Sequence, residues 1–260
     1  MTLGATRTVL VTGGSRRIGA AIVRTLAGAG HRVVIHHHHA HDEDAVSLAQ
    51  ELDPSGERIA TVTGDLAEPD AAAAILAAAR NAMNGPIDGL VNCASVFEFD
   101  RPPAFDAALL ARLVPVNLSA PVALACALAG QGIEDGAVVN LLDQKVANLN
   151  PDFFSYTLTK IALDGATTML AQALSPRIRV NAVAPGLTLP SGDQSDEEFR
   201  AVASENLLRR PVAIADVARA VEYLLTASSI TGQTLFVDNG QHFLKREGDV
   251  MFSTPGRRDG

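Results

Sequence analysis

The feature that most constrains this 260-residue chain is a regular alternation of short, continuously apolar runs with longer stretches rich in Ala and Leu. The short runs cover 8–12, 32–36, 59–63, 89–92, 137–142, 179–183 and 234–237. Each is too short for a core helix, and most are rich in Val, so each predicts a strand. The stretches at 18–29, 43–52, 71–84, 105–130, 154–174 and 216–227 predict helices. Strands that are apolar throughout are buried on both faces, as happens when parallel strands are joined by helical crossovers packed above and below. The predicted architecture is therefore α/β, a doubly wound, seven-stranded parallel sheet with helices on both faces. No repeat, linker or composition break divides it. Residues 1–244 thus predict one domain, followed by a polar tail at 245–260 that either frays or lies on a neighbouring subunit. With 4% aromatic residues and no Trp, the core has to be built from Ala, Val, Leu and Ile.

The same sequence argues against several kinds of partner. A formal charge of −8 is the wrong sign for a general nucleic-acid or anionic-membrane surface. Cys93 and Cys126 lie far apart and form no CxxC pair, which predicts a reduced, cytoplasmic protein. The first residues lack the charged-then-apolar pattern of an export signal. No apolar run approaches the length of a membrane span, so no crossing is expected.

The chemistry-bearing residues gather where predicted strands end. The first strand runs into a glycine-rich loop and then a helix. In that loop Gly13 and Gly14 permit a tight turn and Gly19 permits close helix–strand approach. Backbone amides of Ser15, Arg16, Arg17 and Ile18 can then face a pyrophosphate. A purely structural turn is the competing reading of that loop taken alone. Farther on, Tyr156 and Lys160 stand four apart, on one face of a predicted helix. A buried ammonium beside a phenol favours the phenolate, so the spacing predicts a Tyr156 pKa lowered toward neutrality and a usable proton donor.

Residues 12–19, TGGSRRIG, resemble the TGxxxGIG motif of the short-chain dehydrogenases/reductases, with Arg17 where glycine is usual. Asp65-Leu66 after the third strand, Asn92-Cys93-Ala94 in place of NNAG, Asn117, Tyr156-x-x-x-Lys160 and Pro185-Gly186 follow in that family's order. The similarity spans about residues 7–243. It implies a single-domain Rossmann fold and a homotetramer acting on a small molecule. It places Asp65 and Leu66 along the adenine, and Asn92, Cys93, Ala94, Pro185 and Gly186 along the rest of the cofactor. Lys160 would hold the nicotinamide ribose and Asn117 a proton-relay water.

Cofactor choice is set after the second strand, where an NAD enzyme places an acid for the ribose hydroxyls. Here His37, His38 and His39 occupy that place, and the acids wait until Asp42 and Glu43. Imidazoles and Arg17 suit a 2′-phosphate, so NADPH is expected. A metal site and an incidental solvated loop are the other readings of the run. Consecutive strand residues point to opposite faces, which counts against shared coordination.

Thirteen residues before its tyrosine the family usually carries a serine; this chain carries Asp143, and no serine lies between Ala137 and Pro151. That change resembles the pteridine reductases and bacterial dihydromonapterin reductases, as do Arg17, Asn117 with Ala120-Pro121, and the segment from Cys93 to Phe97. The resemblance implies that Ser95 touches a pterin and Phe97 stacks on it, with Leu187 near its side chain. Hydride would go to C6 and a proton to N5, supplied by Tyr156 and Asp143. Two alternatives stand beside this one. They are a general carbonyl reductase or alcohol dehydrogenase of the same family, and a non-catalytic NADP-binding sensor. For Asp143 the competing reading is a salt-bridged or solvated carboxylate in an inactive site, and for Phe97 a packed hydrophobe at the sheet edge.

Overall fold

A computed structural model of the chain describes residues 6–190 and 195–249. Most of the predicted tail, 250–260, and part of the loop between 187 and 196 therefore lie outside the described residues. Seven strands form one sheet: β1 (Thr8–Thr12), β2 (Arg32–His37), β3 (Ile59–Thr63), β4 (Gly89–Asn92), β5 (Gly136–Leu141), β6 (Ile178–Pro185) and β7 (Thr234–Val237). Their order is β3-β2-β1-β4-β5-β6-β7, and every neighbouring pair is parallel. The winding reverses between β1 and β4, which opens a crevice at their carboxyl ends.

The burial of β1, β2, β4, β5 and β6 follows from two cores, whereas the edge strands β3 and β7, expected to be buried as well, are only partly covered. Along β1, Val9 and Val11 join one cluster with Ile22 and Leu26 of helix α1 (Arg17–Gly28) and Val217, Val221 and Leu224 of a helix at Ile214–Thr226. Leu10, between them, joins the other. That cluster contains Ile75 and Leu76 of a helix at Ala71–Met83, Leu124 and Leu128 of one at Ala120–Ala129, and Leu170 of one at Phe154–Leu174. Each such fully buried Leu or Ile contributes about 1.5–3 kcal/mol over an exposed one. In chain order these helices are α1, α2 (Glu43–Leu52), α3 (Ala71–Met83), α4 (Ala107–Val114), α5 (Ala120–Ala129), α6 (Phe154–Leu174), α7 (Asp196–Ala203) and α8 (Ile214–Thr226).

Two departures from the sequence reading matter. Residues 105–130 do not form one regular helix. Between α4 and α5 the chain takes a π-helical turn at Pro115–Ser119. Pro115 has no amide to donate back into α4, and a π turn displaces the hydrogen-bond pattern by one residue. Asn117, fully buried, sits in that turn. The combined run Ala107–Ala129 is also long and apolar enough to cross a membrane, contrary to the expectation from the sequence. Leu109 and Leu113 pack against Tyr156 and Phe153, while Leu124 and Leu128 lie in the sheet core. The run is part of the fold's interior wall. The second departure is α7, which no apolar period announced.

Candidate active site

Gly13 has φ +61, and a Cβ there would stand 2.9 Å from the Cα of Ala94. A Cβ on Gly19 would stand 2.0 Å from the carbonyl oxygen of Gly13. The loop can therefore fold this tightly only with glycine at both positions. Thr12 fixes the opposite wall, its hydroxyl oxygen accepting from the amides of Cys93 and Ala94 at 3.0 and 3.1 Å. Helix α1 starts without a side-chain cap and without an acid in its first turn. Its leading amides and positive dipole end are left to an anion, which fits a pyrophosphate. Arg17 adopts φ +51, in the left-handed region its usual glycine would favour. Its guanidinium donates to the carbonyl of Pro190 at 2.8 Å, in the loop that follows Gly186.

The four consecutive imidazoles do different things. His36 is buried, with Nε2 3.0 Å from the Gly64 carbonyl and Nδ1 accepting from the Gly13 amide at 3.4 Å. That pattern needs the neutral ring with its proton on Nε2, and burial holds the pKa down to about 4. His37 is buried against the carbonyl of His39. His38 is exposed and faces Asp65 at 3.4 Å. Asp42, which the sequence reading did not place at the site, is buried beside them. Its carboxylate caps α2, accepting from the amides of Asp44 and Ala45, and takes the Ser15 hydroxyl at 2.9 Å and the Arg16 guanidinium at 3.6 Å.

At the other end of the crevice, α6 delivers Tyr156 and Lys160. The helix starts where Asp100 accepts from the Ser155 amide at 2.8 Å and the Ser155 hydroxyl at 2.6 Å. The Tyr156 hydroxyl donates to Asp143 Oδ2 at 3.3 Å, and Asp143 Oδ1 accepts from the Lys145 amide at 2.9 Å. Lys160 donates to the Leu141 carbonyl at 2.9 Å and lies over the Tyr156 ring, 5.6 Å from its centroid. Burial brings Lys160 down to about 8 and pushes the Asp143 carboxyl up. The expected lowering of Tyr156 is reversed. Burial first, and then the charge and hydrogen bond of Asp143, raise it well above the usual tyrosine range. Lys160 is engaged with a carbonyl rather than with the phenol oxygen, so its charge does not offset them. The phenol is thus held protonated, with its donor aimed at a carboxylate.

One cavity of about 680 Å³ runs from the His run to this pair. The glycine loop, His37, His38, His39, Asp65, Leu66, Cys93, Ala94, Ser95, Phe97, Asp143, Tyr156, Lys160, Pro185, Gly186 and Leu187 all line it. Phe97 stacks on Phe153 with centroids 4.2 Å apart and meets Tyr156 edge-on at 4.7 Å. Two expected residues stand behind the wall instead. Asn92 donates to Asn140 Oδ1 at 2.8 Å beneath the floor. Asn117 spends its whole amide on structure: Oδ1 accepts from the Ser95 hydroxyl and the Val96 amide, and Nδ2 donates to the Val96 carbonyl and the Thr159 hydroxyl. The wall also includes Asp42, Lys145, Gln241 and Asp249, none of which the sequence had singled out for the site. Gln241 accepts from the Leu187 amide at 3.2 Å and so fixes the turn after Gly186.

The geometry has counterparts among known proteins. FolM alternative dihydrofolate reductase 1 from Brucella suis, solved in complex with NADP, matches with a TM-score of 0.87 and 44% sequence identity. The match covers 95% of this chain and 98% of that one. A dihydromonapterin reductase of Shigella sonnei is 27% identical over 244 residues, 90% of this chain and 96% of the relative. An uncharacterized oxidoreductase of Mycobacterium tuberculosis is 33% identical over 246 residues, covering 91% and 92%. A family model described as enoyl-(acyl carrier protein) reductase matches residues 13–242. Agreement that runs from the glycine loop to the turn after β7 leaves one assignment: the chain belongs to the short-chain dehydrogenase/reductase family of oxidoreductases, which work with a nicotinamide cofactor.

Proposed function

We propose that this oxidoreductase is an NADPH-dependent pteridine reductase that converts a 7,8-dihydropterin, such as dihydromonapterin or dihydrobiopterin, to the tetrahydropterin. The observation that carries the reading is Asp143, a buried carboxylate paired with the Tyr156 hydroxyl where the family's usual member has serine. Reducing a ring C=N adds hydride to C6 and a proton to N5. NADPH, when bound, supplies the hydride. The protonated Tyr156 gives up the proton, and Asp143, itself shifted toward protonation, accepts the phenol's hydrogen bond and relays its replacement. A serine could offer only a neutral hydrogen bond. Lys160 holds the cofactor ribose from beneath, Asn117 positions the Ser95–Val96 backbone, and Ser95 and Phe97 form the pterin's outer wall. Leu187 lies toward its side chain.

NADP rather than NAD is supported by the exposed cationic and imidazole groups at the far end of the cavity. Asp42 is already occupied by α2 amides and Ser15, while the exposed Arg16, paired with Asp42 and Asp44, and the exposed His38, facing Asp65, can turn to a 2′-phosphate. The relatives called dihydromonapterin reductase and alternative dihydrofolate reductase point the same way. We also propose a cytoplasmic homotetramer, supported by the unpaired cysteines and by an exposed apolar strip of Leu158, Ile161 and Met169 on α6.

The test is NADPH oxidation with dihydromonapterin, dihydrobiopterin and a panel of simple ketones. The dihydropterins are expected to turn over well and the ketones poorly. A preference for ketones would return the protein to the general carbonyl reductases, and NADPH binding without any turnover would make it a sensor.

A further inference from the structure

Lys145 is 4% exposed, lies two residues beyond Asp143, and has no part in the proton pathway above. Its ammonium donates to the carbonyl of Asp152 at 2.7 Å and to Asp249 Oδ2 at 3.0 Å. Asp249 belongs to the segment that leaves the last turn of the fold, and its amide donates back to Asp152 Oδ2 at 2.6 Å. Asp152, 1% exposed, also faces Arg101 at 3.3 Å, from the loop that follows Phe97. The returning segment is docked at more than this one place. Asn148 donates to the Leu244 carbonyl at 3.0 Å, and Arg246 pairs with Glu205. A Cβ at position 248 would come within 2.9 Å of Asp152 Oδ2, so Gly248 lets the backbone approach this closely.

Four stretches of chain therefore meet at one buried knot: the turn carrying Asp143, the start of α6 carrying Tyr156, the aromatic loop, and the C-terminal segment. Each bears on a functional group or on the cavity wall. The Lys145 amide holds one oxygen of Asp143, which leaves the other for Tyr156. The carbonyl taken by the Lys145 ammonium immediately precedes Phe153, the ring on which Phe97 stacks. Asp249 itself lines the cavity.

We propose that Lys145 and Asp249 are positioning residues, by which the C-terminal segment locks the Asp143–Tyr156 pair and the Phe97 wall into working geometry. The proposal rests on reading Asp143 and Tyr156 as the proton-delivering pair. An uncompensated buried ammonium or a freed tail would let the Asp143 turn drift, and small displacements of catalytic groups are costly in rate. The cofactor's adenine end is remote from the knot and should not register the change.

The experiment uses the full chain with Asp249→Ala, Lys145→Met and Asp249→Glu, together with Gly248→Val, which pushes the segment away without altering charge. Turnover of a dihydropterin is expected to fall about tenfold or more in the Ala, Met and Val variants, with a raised substrate KM and NADPH affinity within about twofold. Asp249→Glu should recover much of the loss. A second readout needs no substrate. The chain has no Trp and two Tyr, so in a Tyr223→Phe background Tyr156 is the sole tyrosine and, phenylalanine emitting only weakly, the dominant fluorophore. A phenol hydrogen-bonded to a carboxylate is quenched, and loosening the knot should brighten it. Unchanged emission with unchanged kcat and KM overturns the proposal, as does a loss of NADPH affinity in step with turnover. If the wild type reduces no dihydropterin, the substrate reading fails, and the emission alone decides the positioning role.

Discussion

Tyr156 shows how a neighbour can invert an expectation. Lysine four residues away suggests a lowered phenol pKa, yet burial and Asp143 raise it. The raised pKa keeps the phenol protonated but makes it a weaker acid, so its proton leaves only as the ring nitrogen gains basicity on receiving hydride at the neighbouring carbon. Tyr156→Phe removes the donor and keeps the ring. Turnover should fall by about 10²–10⁴-fold, while NADPH titration gives a binding constant near that of the wild type. The cofactor's phosphate is a second matter at this scale. NADPH should be preferred over NADH by at least about tenfold, or roughly 1.4 kcal/mol, measured as the ratio of kcat/KM values. Because Arg17 is turned to Pro190, that ratio should drop in Arg16→Ala and hold in Arg17→Gly. Arg17→Gly also relieves a left-handed backbone, which for a non-glycine residue costs about 1–2 kcal/mol, so its melting temperature should not fall.

At the scale of elements, β2 couples the cofactor loop to pH through His36. Its folded pKa of about 4 lies below the ordinary histidine value of 6.5. The unfolded chain therefore binds more protons between those values, and stability declines as pH drops through 6.5, levelling off below about 4. Between pH 7 and 5 this one group accounts for about 2 kcal/mol. A protonated ring would also present an N–H to the Gly13 amide, so NADPH affinity should weaken over the same interval. Urea unfolding and NADPH titration at the two pH values check this, and His36→Leu should lose this share of the pH dependence. The elements themselves were largely legible. Gly13, Gly19 and the Tyr156–Lys160 spacing are local signals, and the apolar runs located all seven strands within a residue or two. The π-helical turn at Asn117 was not legible, because Pro115 in an apolar run announces a break without saying how the chain repairs it.

Over the whole molecule, the two ends of the sheet are held by contacts between residues far apart in sequence. At the end away from the cavity, buried Arg7 donates to the carbonyls of Leu225 and Asp135 and pairs with the Asp135 carboxylate. It joins the lead into β1 to α8 and to the lead into β5. Arg7→Ala leaves its carbonyl partners unpaired and should cost about 1–3 kcal/mol by urea unfolding, and leave dihydropterin KM unchanged. At the cavity end, Lys145 and Asp249 are 104 residues apart. No local pattern could pair them, nor show that Asp42 would be spent on α2 and Ser15. The sequence carried the site's chemistry in motifs, while the supporting shell exists only once the chain returns on itself. Asp143 bridges both kinds of information, visible as a departure from a motif and explained only by its bond to Tyr156.

The most direct measurement of the central claim compares wild type with Asp143→Ser, following NADPH oxidation with a dihydropterin and with a simple ketone. The account predicts a sharp loss of dihydropterin turnover in Asp143→Ser, by about 10²-fold or more, with any trace of ketone reduction retained or increased. Dihydropterin turnover unchanged by that substitution would contradict it.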